Sequence, residues 1–138
     1  MYRILLVDDN IFFRHTQCQI LQGRFPQIVY HEANNGKKCP HIMLDVAPEG
    51  LFIDVHLHDG DGIALLCGIK KRYPSTILIV FSEYDLHEYQ AAPHLVGIND
   101  IIPKELKTGG EIAALIETIL VGHGFMALPQ SRRGRAYR

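Results

Sequence analysis

Residues able to do chemistry stand at four places along the 138-residue chain, each at the end of an apolar run. Asp8-Asp9 follow Ile4-Leu5-Leu6-Val7, and Asp54 follows Leu51-Phe52-Ile53. Ser82 follows Ile77-Leu78-Ile79-Val80-Phe81, and Lys104 follows Ile101-Ile102-Pro103. Two adjacent carboxylates repel each other unless a cation or a base neutralises them. A third carboxylate is either a further cation ligand or a nucleophile that can become an acyl phosphate. A hydroxyl and a long-stemmed ammonium can each hold one oxygen of a phosphoryl group. Phosphoryl transfer asks mainly for positioning and charge neutralisation, so this sparse set suffices. All-oxygen donors of this kind suit Mg2+. Each residue alone has an ordinary reading as a helix cap, a turn residue or a surface lysine. Their joint placement carries the inference.

That placement requires a particular scaffold. Short apolar runs ending in a polar residue read as buried parallel strands whose carboxyl ends meet at one edge. The pattern predicts strands at about 2–7, 28–30, 51–55, 76–81 and 100–103, with the fourth, the most continuously apolar, at the centre. Asn10 is placed to cap a helix from Ile11 to about Gln22, with Gly23 as its stop. A second helix is expected to cover Met43 to Ala47, and a third Ile63 to Tyr73, ending in Lys70-Lys71-Arg72 where the helix dipole favours cations. Asp85 to Leu95 reads as a helix interrupted by Pro93, and Gly110 to Val121 as a strongly periodic one. Five strand–helix units imply helices on both faces of a parallel sheet. Active groups in such a sheet belong at the carboxyl ends of the strands.

Composition narrows the function classes. With 47% hydrophobic and 21% charged residues, the chain has the make-up of one folded globular domain. The formal charge is −1, but Arg132, Arg133, Arg135 and Arg138 close the chain, leaving ten basic against fifteen acidic residues over 1–131, a net −5. An acidic body argues against direct nucleic-acid contact. Cys18, Cys39 and Cys67 are widely spaced and fit buried thiols in a reducing cytoplasm. No apolar run reaches the length of a membrane span, so the expected location is cytoplasmic.

The residues Leu5-Leu6-Val7-Asp8-Asp9-Asn10, Phe52-Ile53-Asp54 with Asp61-Gly62 beyond, Val80-Phe81-Ser82 and Lys104 stand in order, each on its expected strand. Over about residues 1–121 the chain resembles a response-regulator receiver domain of two-component signalling, in the CheY-like superfamily. The resemblance implies a flavodoxin-like (βα)5 doubly wound α/β fold with strand order 2-1-3-4-5. It implies Asp54 as phosphoacceptor, Mg2+ bound by Asp9 and Asp54 with Asp8 and the backbone carbonyl of His56 assisting, and Ser82 and Lys104 holding phosphoryl oxygens. Its implied partner is a sensor histidine kinase or phosphotransfer protein. The implied output is a two-state surface formed by the family's fourth helix, fifth strand and fifth helix, here about 84–121, which is also the expected homodimer face. Catalysis is then confined to the domain's own phosphorylation and dephosphorylation.

The chain also departs from the family pattern. Leu57-His58 stands in place of Met-Pro, Glu83 follows Ser82 in place of a small residue, and Ile101 occupies the aromatic switch position. Pro103 precedes Lys104 and Glu105 follows it, where many members carry a proline after the lysine. These features support an alternative, a pseudo-receiver binding module that works without phosphorylation. An enzyme of the flavodoxin or aspartate-phosphatase type fits less well. There is no phosphate-cradling loop after the first strand, and residue 56, where such phosphatases carry a second aspartate, is histidine. An imidazole there could orient water toward an acyl phosphate. Ile119-Leu120-Val121-Gly122, with Phe125 and Pro129 beyond, resembles the start of the linker in NarL/FixJ-type transcription regulators. Residues 122–138 are accordingly expected to form a basic tail or the beginning of such a linker.

Overall fold

A computed structural model describes residues 2–54, 62–82, 97–104 and 108–125. Five strands form one parallel sheet: β1 (Arg3–Val7), β2 (Val29–Ala33), β3 (Gly50–Asp54), β4 (Ile77–Ser82) and β5 (Asp100–Pro103). Their order is β2-β1-β3-β4-β5, as the resemblance implied. The central strand is therefore β3 rather than β4, although both are buried along their whole length. Continuous apolar runs had marked both as interior, and only the crossover decides which is the middle.

Helix α1 (Ile11–Arg24) starts where Asn10 Oδ1 accepts a hydrogen bond from the Phe13 amide at 3.1 Å. It runs through Gly23, the expected stop, and ends at Phe25, whose fully buried ring holds the last turn against the core. The second helix begins as a 3-10 turn (Gly36–Lys38) and continues as α2 (Cys39–Val46). Ala47, at φ 48°, closes it in the left-handed conformation that glycine more often supplies. Helix α3 spans Gly62–Arg72. Helix α4 (Gly109–Gly122) opens with a capping box: Thr108 Oγ1 accepts from the Glu111 amide at 3.1 Å, and Glu111 Oε1 from the Thr108 amide at 3.2 Å. The expected helix over 85–95 lies outside the described residues.

Strand alternation splits the core into two layers. Ile4, Leu6, Phe52, Ile79 and Phe81 face α1 and α4, with Leu21, Ile112, Ile116 and Leu120 from those helices. Leu5, Val7, Leu51, Ile53, Leu78 and Val80 face Met43 of α2 and Leu66 and Ile69 of α3. Burying a side chain of this size stabilises the fold by about 1.5–3 kcal/mol. Beyond α4 the chain turns at Gly124 (φ 94°) and returns Phe125 to the first layer, its ring 4.3 Å from that of Tyr2. Between β4 and β5, Asn99 bonds Leu78 both ways: its amide donates to the Leu78 carbonyl and its side-chain oxygen accepts from the Leu78 amide, each at 2.8 Å. That pair of hydrogen bonds starts the register that brings Pro103 opposite Ser82.

Candidate functional site

Parallel pairing places the chemistry-bearing residues at one sheet edge. Val7 pairs with Ile53, Asp54 with Phe81, and Ser82 with Pro103, so Asp8, Asp54, Ser82 and Lys104 lie side by side. The Lys104 amide donates to the Ser82 carbonyl at 2.7 Å, which extends the β4–β5 ladder by one bond and anchors the lysine. Its side chain turns inward. Lys104 Nζ lies 2.6 Å from Asp8 Oδ2 and 3.0 Å from Asp54 Oδ2, with only 8% of the side chain exposed. Below it lies the ring of Phe13, whose centroid is 4.2 Å from Nζ, a cation–π contact shielded from water. Phe13 meets Phe81 edge-on at 5.2 Å.

The acidic side is equally well held. Asp8 Oδ1 accepts from the Asn10 amide at 2.8 Å, and the Asp8 amide donates to the Ala33 carbonyl. Arg14 donates through Nη1 to the Asp8 carbonyl at 2.6 Å and through Nε to Glu32 at 2.9 Å, tying β1, α1 and β2 together. Asp8, Asp9 and Asp54 each offer a carboxylate oxygen, and these oxygens lie within 4.8 Å of one another. Burial pushes the Asp8 carboxyl above its ordinary value, although Lys104 and the Asn10 amide pull it back. Burial lowers the Lys104 ammonium, but the bond to Asp8 and the charges of Asp8 and Asp54 outweigh it and leave the lysine more basic than usual. Asp8 and Asp54 thus both pair with the Lys104 ammonium, and Asp9 lies beside them. The donors are all oxygen and converge on one point, which fits a hard divalent cation such as Mg2+.

Of the sequence-predicted site residues, Asp8, Asp9 and Asp54 come together, Lys104 joins Asp8 and Asp54, and Ser82 is fully buried beside them in register. His56, Leu57-His58, Glu83 and Glu105 lie outside the described residues. Phe13 and Arg14 escaped the sequence reading. Their roles depend on which face of α1 meets the strand ends, and no spacing rule signals that.

The model of the response regulator receiver domain matches residues 4–117. The chain belongs to that family. Among curated relatives, this receiver domain is 33% identical to a protein-glutamate methylesterase/protein-glutamine glutaminase of Pseudoalteromonas atlantica, over 77% of the chain and 28% of that protein. It is 26% identical to the DNA-binding transcriptional activator DevR/DosR of Mycobacterium tuberculosis, over 91% of the chain and 58% of the relative. The chain therefore spans less than two thirds of the length of either relative. Among solved structures, the signal receiver domain of a DNA-binding response regulator from Colwellia psychrerythraea superposes with a TM-score of 0.77 at 18% identity, covering 87% of this chain and 98% of that one. The isolated receiver domain of RcsB from Salmonella enterica superposes at 0.74 and 19% identity, covering 96% and 97%. These two likenesses establish the fold.

Proposed function

We propose that this receiver accepts a phosphoryl group on Asp54 from a histidine kinase or phosphotransfer protein, with Mg2+ present. The observation that carries the reading is Lys104 Nζ held between Asp8 and Asp54 beside a convergent carboxylate set. A bound Mg2+, held by Asp9 and Asp54 with Asp8 and the His56 carbonyl assisting, would neutralise the excess negative charge as an anionic donor approaches. Asp54 Oδ attacks phosphorus, the P–N bond of the donor phosphohistidine breaks, and its electron pair and a proton end on the imidazole. Lys104 then pairs with a phosphoryl oxygen, and the Ser82 hydroxyl bonds another. The added charge of about −1.5 to −2 redistributes this ion pairing. Ile11 and Phe12, both exposed at the start of α1, give the donor an apolar rim beside the site.

The output proposed is control of transcription through the surface of about residues 84–121, with homodimerisation on that face and residues 122–138 acting as tail or linker. A DNA-binding activator among the relatives supports this direction. Among the described residues no helix is long and apolar enough to cross a membrane, and a cytoplasmic signalling role accords with that. The test is intact mass after incubation with Mg2+ and acetyl phosphate, for the wild type and Asp54→Ala. One phosphoryl adduct on the wild type alone is expected. An adduct on both proteins would move the acceptor elsewhere. A wild type that stays unmodified by acetyl phosphate and by a phosphorylated kinase would favour the second reading, a binding module without phosphorylation. Ile101 favours that alternative: it is aliphatic and packs partly buried against the α2–α3 layer, where the family carries its aromatic switch.

A further inference from the structure

Helices α2 and α3 cover the same face of the sheet but leave a groove between them, with a cavity of about 300 Å3. Its floor is the buried Met43 of α2 and Ile69 of α3, with the half-buried Leu65 alongside. Ala64 and Gly68, one turn apart on α3, form a low wall. A glycine inside a helix costs about 1 kcal/mol relative to alanine. Packing among the described residues does not require this one, because a Cβ on Gly68 would meet none of their atoms within 4 Å. The low wall instead admits the close approach of another chain.

One end of the groove carries Arg72, with Lys71 next to it in the chain. Helix α3 finishes in Lys70-Lys71-Arg72. Lys70 is committed to the fold, its Nζ donating to the Thr76 carbonyl at 3.1 Å. The Arg72 guanidinium stacks 5.7 Å above the Tyr73 ring, and both residues line the groove. Among the described residues no carboxylate pairs with Lys71 or Arg72. On a body whose residues 1–131 carry a net −5, this cationic end is a local exception.

We propose that the α2–α3 groove docks an amphipathic peptide segment of a partner protein that ends in acidic residues. Two or three apolar side chains of that segment fill the cavity over Met43 and Ile69, and its carboxylates pair with Lys71 and Arg72. The contact with the Tyr73 ring restricts the Arg72 side chain, so less of its freedom is lost when it pairs. The surface is separate from the phosphoacceptor edge and does not depend on how that edge works.

The test is a two-dimensional amide NMR titration of the full chain with a synthetic twelve-residue peptide. The peptide carries leucines at helical i, i+4 spacing followed by three glutamates. A control peptide replaces the glutamates with lysines. Shifts centred on Met43 and on residues 64–73 are expected, at least fivefold weaker with the lysine peptide and reduced by added salt. Gly68→Gln is expected to raise the melting temperature, because it removes a helical glycine into open space, while abolishing these shifts. Arg72→Glu is expected to weaken the acidic peptide and strengthen the basic one. No shifts at millimolar peptide, equal binding of both peptides, or binding that survives Gly68→Gln would each overturn the proposal. So would the same shifts arising from protein concentration alone, which would make a second copy the occupant.

Discussion

The two ends of the same five strands are built on opposite terms. At the amino end, polar groups are paired and an aromatic ring is packed into the core. The Arg3 amide bonds the Glu49 carboxylate at 2.6 Å, the Glu49 amide bonds the Arg3 carbonyl, and the Tyr2 and Phe125 rings seal the first core layer. At the carboxyl end, buried Asp8 and Asp54 share the Lys104 ammonium, with Asp9 close by. Burial, with the Asp54 charge adding to it, holds the Asp8 carboxyl above its ordinary value. One end supplies stability, and the other gathers charged groups that a cation or a phosphoryl group can redistribute. Active sites commonly trade stability for function in this way.

The comparison can be broken by substitutions at either end. Phe125→Ala should produce the largest effect, a loss of about 3–4 kcal/mol in urea unfolding from the cavity left in the core. Phosphoryl uptake per folded molecule should be unchanged; a loss of uptake would mean the two ends are coupled. Lys104→Met keeps a long side chain against Phe13 but strands the carboxylates, at a cost of about 3 kcal/mol without divalent cations. Added Mg2+ should restore part of it, and a variant as stable as wild type would show that the ammonium does not hold the edge together. Asp54→Asn removes one of three like charges and leaves the 2.6 Å Lys104–Asp8 pair, so metal-free stability should rise by about 1 kcal/mol. A fall instead would mean the carboxyl edge is balanced as it stands. Thr108→Ala removes the α4 cap and should cost about 1 kcal/mol, read as a lower thermal midpoint.

The smallest effect sharpens the contrast through pH. Tyr30 donates its hydroxyl to the Leu21 carbonyl at 3.1 Å, and burial raises it well above its ordinary value of 10.0. Because the folded value is the higher, its contribution is complete below pH 10 and is lost as pH rises from there toward the folded value. Lys104 follows the same sign from its ordinary 10.5. Tyr30→Phe should cost about 1 kcal/mol at neutral pH and flatten the alkaline decline in stability. An unchanged slope above pH 10 would leave the decline to Lys104 and thus to the carboxyl edge alone.

Much of this architecture was legible in the residues. The apolar runs marked four strands to within a residue or two at each end, and Asn10 announced α1 because its side chain can only bond the Phe13 amide from a cap position. β2 was less clear: its core is Val29–Ala33, and its exposed or half-buried residues at an edge blur the alternation. Gly23 failed as a stop because burying Phe25 outweighs the modest helical penalty of one glycine. Ala47 closes α2 in a left-handed turn that no glycine announced, and the Thr108 cap went unseen because a threonine–glutamate pair three residues apart is too common a signal.

The sequence by itself determined which residues carry charge at strand ends, since the apolar runs stop where a carboxylate begins. It also determined that these ends share an edge, because connections of this length between parallel strands return every carboxyl end to the same side. Only the tertiary structure decided how that charge is balanced. Which atoms Lys104 reaches, the Phe13 ring beneath it, the grip of Arg14 on the Asp8 carbonyl and the low wall at Gly68 all follow from how helices rotate against the sheet. That rotation is set by packing summed over both core layers, which no local pattern encodes.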